Sequence, residues 1–250
     1  MMPRPRLDLA LVERGFFASR EKAQRAILAG LVRVGGRLAR KPGEPVKPED
    51  EIVLAAAERY VSRGGYKLEH GLRHFQVEAR GVTAIDLGAS TGGFTDCLLQ
   101  HGADRVYAVD VGRGQLAWKL RRDPRVVVME KTNARSLTPA SFPQPFAGAD
   151  LLVADCSFIS LKIILPPTVA LLRRSGRILA LVKPQFEAGK AEADKGAGVI
   201  TDPAIHARVL RELKEFVGAR TVLHWRGETE SPLLGPAGNK EFLILLEKET

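Results

Sequence analysis

The spacing of hydrophobic residues in the N-terminal part of the chain predicts a small unit of helices and strands. In the run LDLALVERG, apolar side chains recur at helical spacing until Gly15. Ser19 is a typical N-cap for a second helix. The run LVRVGGRLA alternates around Gly35 and Gly36, which is the pattern of a β-hairpin, and EIVLA follows as a further strand. We therefore predict a compact α+β unit over residues 1–58.

From residue 82 onward, strongly apolar runs alternate with stretches of helical length. A helix around Tyr66 to Phe75 precedes them. Buried strands separated by helices are typical of a doubly wound α/β sheet. The seven runs are VTAIDLG, RVYAVDVG, RVVVME, ADLLVAD, GRILALVKP, RTVLHWRG and EFLILLEK.

Between these two patterns, residues 55–65 lose their periodicity and contain paired glycines, which indicates a domain boundary. We predict an N-terminal domain at 1–58, an interdomain linker at 59–65 and a second domain at 66–250.

Charge distinguishes the two predicted domains. The 250 residues carry a net charge of +9, and residues 1–41 hold ten Lys or Arg against three acids, a net charge of +7. A basic surface attracts polyanions, with nucleic acid the leading class, although a solvated surface without a partner has the same composition. The residues that we expect to contact a phosphate backbone are Arg4, Arg6, Arg20, Lys22, Arg25 and Lys41.

Other compositional signals exclude several classes of protein. Cys97 and Cys156 lie far apart without metal-ligand spacing, which indicates a reducing compartment and argues against a structural metal site. The N-terminus lacks the apolar core of a signal peptide, and no apolar run approaches the roughly 20 residues of a membrane span. We expect a soluble, cytoplasmic protein without a bound metal.

A glycine-rich loop follows the first strand of the second domain and predicts a cofactor site. The dinucleotide fingerprint would require glycine at position 90, where Ser90 stands, so a nicotinamide or flavin cofactor is disfavoured. Asp110 ends the second strand, where it can bind ribose hydroxyls, and Asp86 adds negative charge before the loop. S-adenosylmethionine, which carries an ammonium and a sulfonium, suits this charge. A plain tight turn is the alternative interpretation of the glycine-rich loop. Asn133, after the third strand, could contact adenine or could simply cap a loop. The predicted cofactor-binding residues are Asp86, Gly88, Ala89, Ser90, Thr91, Gly92, Gly93, Asp110, Val111, Asn133 and Asp155.

Four charged residues stand in four separate motifs, GGYKLEHGL, LLVADCSFISL, LALVKPQFE and GNKEFLIL. They are Lys67, Asp155, Lys183 and Glu241. Two of them end apolar runs, and the carboxyl ends of parallel strands converge on the ligand crevice of such sheets. Two lysines and two acids meeting there could remove a proton from a weakly acidic hydroxyl. Structural salt bridges are the alternative interpretation.

The ordered set of these motifs, with SRGGYKLEHGL, DLGASTGGFTDCLL, EKTNAR and SPLLGPAGNKEF, resembles the TlyA family along essentially the whole chain. That family comprises ribosomal RNA cytidine-2′-O-methyltransferases once described as haemolysins. The resemblance implies an N-terminal S4-type RNA-binding domain and an FtsJ-like domain with a Rossmann-like class I methyltransferase sheet. It also implies S-adenosylmethionine as cofactor and a Lys–Asp–Lys–Glu tetrad at the four residues above. Family members that modify both ribosomal subunits look longer at the C-terminus, and this chain stops soon after EFLILLEK, so the resemblance implies modification of 23S rather than 16S rRNA.

A ribose 2′-OH needs a base within hydrogen-bond reach. We expect Lys183 to be that base, with Lys67 favouring its neutral form, and Asp155 and Glu241 holding both ammonium groups. Phe158 could stack the target base, but packing under the sheet is the favoured interpretation.

Glu187 and Asn239 are expected at the pocket rim. The alternatives to catalysis on ribose are a non-catalytic RNA-binding or ribosome-assembly factor, a membrane-active haemolysin, and a base methyltransferase.

Overall fold

The computed structural model describes residues 5–28, 30–54, 58–189, 192, 194, 196–235 and 237–249. Its chain divides into two compact units, with the boundary between Arg59 and Tyr60.

The first unit packs two helices on a small antiparallel sheet of order β2-β1-β3. Leu7, Leu11 and Ile27 from the helices are buried against Val32 and Val34 of the central strand, so the helical periodicity forms the core. The hairpin turns at the two predicted glycines. The elements are α1 (Leu7–Glu13), α2 (Arg20–Leu28), β1 (Val32–Val34), β2 (Arg37–Leu38) and β3 (Ile52–Leu54).

The second unit is built on a seven-stranded sheet of order β6-β5-β4-β7-β8-β10-β9, which confirms the predicted α/β fold class. All seven predicted runs form strands: β4 (Thr83–Leu87), β5 (Arg105–Val109), β6 (Val126–Met129), β7 (Ala149–Ala154), β8 (Leu172–Val182), β9 (Leu223–Glu230) and β10 (Phe242–Lys248). The helices are α3 (Gly64–His74), α4 (Gly93–Gln100), α5 (Trp118–Arg121), α6 (Leu161–Thr168), α7 (Pro184–Glu187) and α8 (Pro203–Arg220).

Each face of this sheet is covered by its own hydrophobic layer. Along β4, Ala84 joins the layer with α3 and α4, whereas Ile85 and Leu87 join the layer with α6 and α8. Successive side chains of a strand point to opposite faces, so a strand covered on both sides is apolar throughout. This is why the central strands appear in the sequence as largely apolar runs, with Asp86 of β4 a buried exception.

The paired glycines belong to a helix rather than to the predicted linker. Gly64 and Gly65 are the first residues of α3, which begins inside the 59–65 segment. A Cβ atom at Gly65 would lie 2.2 Å from the ring of Tyr60, which is itself buried. Glycine is needed here because the helix start and the tyrosine ring approach too closely for a side chain.

The last strand runs antiparallel to its neighbours, and this direction positions the site. Phe242 at the start of β10 pairs with Val182 at the end of β8. The next position along this ladder places Glu241 beside Lys183. The amino end of β10 therefore lies at the same edge of the sheet as the carboxyl ends of the parallel strands.

Candidate active site

A cleft of about 560 Å³ opens at the carboxyl edge of the sheet. Loops after β4, β5, β6 and β7 line it, as expected for open α/β sheets. Its volume falls in the usual range of small-molecule sites. The predicted cofactor residues that line it are Gly88, Ser90, Asp110, Val111, Asn133 and Asp155.

Backbone geometry brings the glycine-rich loop close to the end of β7. Gly88 has a φ of +79°, and a Cβ atom there would lie 2.7 Å from the carbonyl oxygen of Asp155. Both the left-handed conformation and the close approach require glycine. The loop also fixes Asp110, whose carboxylate accepts hydrogen bonds from the backbone N–H groups of Ser90 (2.8 Å) and Gly112 (2.7 Å). A carboxylate retains further lone pairs, so Asp110 can still accept from ligand hydroxyls.

Asp86 occupies a different place from the one that we predicted. It is fully buried under the loop and does not contribute to the lining of the cleft. Thr95 Oγ1 donates to its Oδ2 atom at 2.6 Å, while Oδ1 has no hydrogen-bond partner among the described residues. Burial raises the pKa of Asp86 to about 7. Asp86 was predicted to add negative charge to the cofactor site, and its carboxyl instead lies buried beneath the loop.

The remaining predicted cofactor residues differ in burial and in their position relative to the cleft. Ala89, Gly92 and Gly93 are buried, and Thr91 is exposed outside the lining. Asn133 lines the cleft and also caps a short turn, because its Oδ1 atom accepts from the Arg135 backbone N–H at 3.1 Å. Both interpretations of Asn133 therefore agree with the geometry.

Two lysine–carboxylate pairs lie at the carboxyl edge of the sheet, and Asp155 of one pair lines the cleft. Lys67 Nζ is 2.5 Å from Glu241 Oε2, and Lys183 Nζ is 2.6 Å from Asp155 Oδ1. Lys67, Lys183 and Glu241 are 6%, 8% and 1% exposed. The structure thus brings together residues from four motifs, with Asp155 linking them to the cleft.

The burial of these charges makes their pairing necessary. A buried ion that loses its partner is strongly destabilising, typically by about 3–5 kcal/mol. Each pair joins one basic and one acidic side chain, so each of these groups has a partner of opposite type. Glu241 Oε1 is also buried and has no hydrogen-bond partner within the described part of the chain.

The predicted packing of Phe158 under the sheet is wrong. Its side chain is 87% exposed at the mouth of the cleft, and its ring centroid lies 5.1 Å from that of Phe186. The reason is local backbone conformation, because Phe158 has a φ of +62° and so points away from the sheet. A left-handed non-glycine residue costs on the order of 1–3 kcal/mol and persists only where the surrounding structure holds it.

Glu187 is one of the groups that hold this loop. Its carboxylate accepts from Ser160 Oγ at 2.6 Å and from the Leu161 backbone N–H at 2.7 Å, so it caps α6. Burial raises the pKa of Glu187.

Asn239 is buried and connects two loops, accepting from the Ile200 N–H and donating to the Gly198 carbonyl, both at 2.8 Å. Glu187 therefore holds the loop after β7 and Asn239 holds the loop at 198–200; we expected both at the pocket rim, and neither lines the cleft.

The sequence analysis missed Ser157. Lys183 Nζ donates to Ser157 Oγ at 2.9 Å, and Ser157 lines the cleft. Its position two residues after a strand-ending acid was the available signal, but a lone serine in a loop has no chemical signature.

In the first unit, a buried carboxylate organises the predicted basic surface. Asp8 accepts from Arg6 Nε (3.0 Å), Arg20 Nε (2.9 Å) and Gln24 Nε2 (2.7 Å). The hydrogen bond from Arg6 holds the pKa of Asp8 far below its usual range, despite the burial. Both guanidinium groups are half exposed, so Asp8 fixes them side by side at the surface.

The other predicted contacts are less constrained. Lys22, Arg25 and Lys41 are exposed, and Arg25 lies 3.5 Å from Glu21. Arg4 lies outside the described residues.

Among the described residues, no cluster of three His, Cys, Asp or Glu side chains could hold a metal ion. Of the helices in the described ranges, none is long and apolar enough to cross a membrane.

Comparison with known proteins adds family evidence to this geometry. The FtsJ-like methyltransferase family matches residues 60–248, and the S4 domain matches residues 5–52. The protein named 16S/23S rRNA (cytidine-2'-O)-methyltransferase TlyA from Mycobacterium tuberculosis is 46% identical over 256 residues, covering 100% of this chain and 92% of the relative.

Two further proteins agree with that match. The 23S rRNA (cytidine-2'-O)-methyltransferase TlyA of Campylobacter jejuni is 31% identical over 210 residues, covering 81% of this chain and 79% of the relative. The solved structure of a candidate hemolysin from Streptococcus thermophilus has a TM-score of 0.74 and 44% identity, covering 100% of this chain and 90% of that one. The sequence, the fold and these matches together show that the chain belongs to the TlyA family of methyltransferases, with an S4 domain followed by an FtsJ-like domain.

Proposed function

We propose that this enzyme transfers a methyl group from S-adenosylmethionine to the ribose 2′-OH of a cytidine in ribosomal RNA. The observation that carries the proposal is the pair of buried lysine–carboxylate contacts beside the cleft. A reaction at a ring nitrogen has less need of paired lysines at the reacting centre. The names of both TlyA relatives specify cytidine-2'-O methylation, which supports the same chemistry.

The cleft fits the proposed cofactor. Gly88 leaves a space that a side chain would fill, and Asp110 presents a fixed carboxylate at the end of β5, where nucleoside hydroxyls bind in such folds. Asp155 adds an acceptor at the other side of the cleft. When bound, S-adenosylmethionine supplies an electrophilic methyl group on a sulfonium. Gly88, Ser90, Asp110, Asn133 and Asp155 are the residues that we propose hold it.

Lys183 is the proposed general base. A ribose hydroxyl is a poor nucleophile until its proton has an acceptor. Lys183 in its neutral form provides that acceptor, and Asp155 stabilises the ammonium that results. Glu241, which lies beside Lys183 on the β8–β10 ladder, holds the second lysine of the cluster, Lys67. During transfer the O–H bond breaks as the O–CH₃ bond forms, and the proton remains on the enzyme.

Phe158 is the proposed platform for the target base. Sequence-specific recognition of RNA commonly unstacks a base and places it on an aromatic ring. The ring of Phe158 is exposed at the mouth of the cleft, supported by Phe186. The strained loop conformation keeps it there.

The first unit is the proposed site of wider RNA contact. Arg6 and Arg20, held by Asp8, present two guanidinium groups at a fixed spacing, to which Lys22, Arg25 and Lys41 add mobile charge. Guanidinium groups bind phosphates through paired hydrogen bonds. We propose 23S rRNA as the preferred substrate, because it is common to both relatives' names, with 16S rRNA also possible, and the cytoplasm as the compartment.

The test is transfer of labelled methyl to ribosomal subunits from a strain that lacks this modification, followed by mapping of the product. The proposal expects label in the large subunit, on the ribose of a cytidine. Tight RNA binding without transfer would instead support an assembly factor, and label on a base nitrogen would support a base methyltransferase. Either result would refute the proposed reaction.

A further inference from the structure

The proposed base does not itself reach the cleft. Lys183 is 8% exposed, and among the described residues it is not part of the cleft lining. Ser157 is exposed, lines the cleft and lies 2.9 Å from Lys183 Nζ through its Oγ atom. A hydroxyl group therefore stands between the space open to substrate and the buried amine.

We infer that Ser157 is a catalytic residue that relays the proton from the substrate hydroxyl to Lys183. This inference rests on the proposed function. In the transfer, the ribose O–H proton passes to Ser157 Oγ while the Ser157 proton passes to the neutral amine of Lys183. The ribose oxygen forms its bond to the methyl carbon, the S–CH₃ bond breaks, and its electron pair stays on sulfur. Ser157 ends as a neutral hydroxyl and Lys183 as an ammonium paired with Asp155.

The loop suits a relay because hydrogen bonds hold the residues before and after Ser157 in the chain. Before Ser157, the Cys156 Sγ atom donates to the Leu87 carbonyl at 3.5 Å. After it, Ser160 and Leu161 are bound by Glu187. A relay requires donor and acceptor distances held within hydrogen-bond reach, and this loop supplies one of the two contacts before substrate binds.

Neighbouring groups are poorer candidates for the same role. The Cys156 thiol also lines the cleft, but its Sγ atom donates to the Leu87 carbonyl, whereas Ser157 Oγ is the atom bonded to Lys183. The Asp155 carboxylate lines the cleft as well, yet its Oδ1 atom is engaged by Lys183. Protonating that carboxylate would break the ion pair that stabilises the product ammonium.

The test compares Ser157→Ala and Ser157→Thr with the unsubstituted enzyme in single-turnover methyl transfer to large subunits. We expect Ser157→Ala to lower the rate about 100-fold or more, the usual contribution of a general acid–base group, and Ser157→Thr to recover most of it. Cofactor affinity, measured by calorimetry, should change by less than about threefold in both variants if only the chemical step is affected.

A second readout separates a relay from a structural role. Rates in mixtures of H₂O and D₂O should depend on the deuterium fraction in a curved manner for the unsubstituted enzyme, because two protons move together. The same plot should be linear for Ser157→Ala. A near-normal rate for Ser157→Ala, or a linear plot for the unsubstituted enzyme, would overturn the relay. Failure of the proposed function is distinguishable, because the unsubstituted enzyme would then transfer no methyl to ribose.

Discussion

Burial changes the behaviour of Asp86 beneath the cofactor loop. In the unfolded chain the carboxyl has its ordinary pKa of 3.8, whereas in the folded state burial raises its pKa to about 7. At a pH between these two pKa values, the unfolded chain has released the Asp86 proton, whereas the folded chain retains it. Ionisation of Asp86 therefore lowers the free energy of unfolding as pH rises from about 4 to 7.

Asp86→Asn should remove this penalty while keeping an acceptor for the Thr95 hydroxyl. We expect the variant to be more thermostable than the parent at pH 8 by the equivalent of a few kcal/mol, with a smaller advantage at pH 5. Melting temperatures at the two pH values measure this, with the exposed Asp104→Asn as control. An advantage that is the same at both pH values would contradict the role of ionisation.

At this scale the sequence predicted positions at strand ends better than it predicted contacts between distant residues. Asp155 and Lys183 were placed correctly because each ends a buried strand. The pairing of Lys67 with Glu241 spans 174 positions and depends on the strand order, which local patterns do not contain. Phe158 was misplaced because a positive φ at a non-glycine residue leaves no compositional signal.

Among the secondary-structure elements, helix caps connect stability to the site. Glu187 caps α6 and holds the loop that carries Asp155, Ser157 and Phe158. Asp202 caps α8 in a similar way, accepting from the Ala204 N–H at 2.8 Å, but away from the cleft.

Replacing either cap with alanine should cost about 1 kcal/mol of stability. We expect Glu187→Ala also to lower the rate of methyl transfer, because the loop loses its anchor, whereas Asp202→Ala should leave the rate within about twofold. Melting temperature and single-turnover rate are measured for both. Equal rates in the two variants would show that the cap does not position the site.

The elements themselves were largely predictable, with two exceptions that have physical reasons. Seven apolar runs predicted seven strands, and all seven form. The reversed direction of β10 was not visible, because a buried strand has the same composition in either direction. The paired glycines suggested a linker, whereas tight packing of Gly65 on Tyr60 is what requires them.

The whole molecule combines a basic S4 domain with a methyltransferase domain, and its RNA affinity should be strongly dependent on salt. Each phosphate contact contributes about 0.7 to 0.9 to the slope of log K against log salt concentration. Asp8 fixes Arg20 at the surface beside Arg6, so we assign Arg20 one such contact.

Arg20→Ala should weaken binding to a ribosomal RNA fragment and reduce that slope by about one. Arg211→Ala, which removes an exposed arginine of α8 in the other unit, is the matched control and should change neither quantity. Filter binding from low to high salt measures both slopes. An unchanged slope for Arg20→Ala would remove this residue from the RNA contact.

The central claim is that a buried lysine cluster accepts the proton of a ribose hydroxyl, and its most direct test is the single-turnover rate of Lys183→Ala against the exposed Lys214→Ala on α8. We expect Lys183→Ala to lose about 10²- to 10⁴-fold in rate while retaining cofactor binding, and Lys214→Ala to match the unsubstituted enzyme. Methyl transfer by folded Lys183→Ala at the rate of the control would contradict the account.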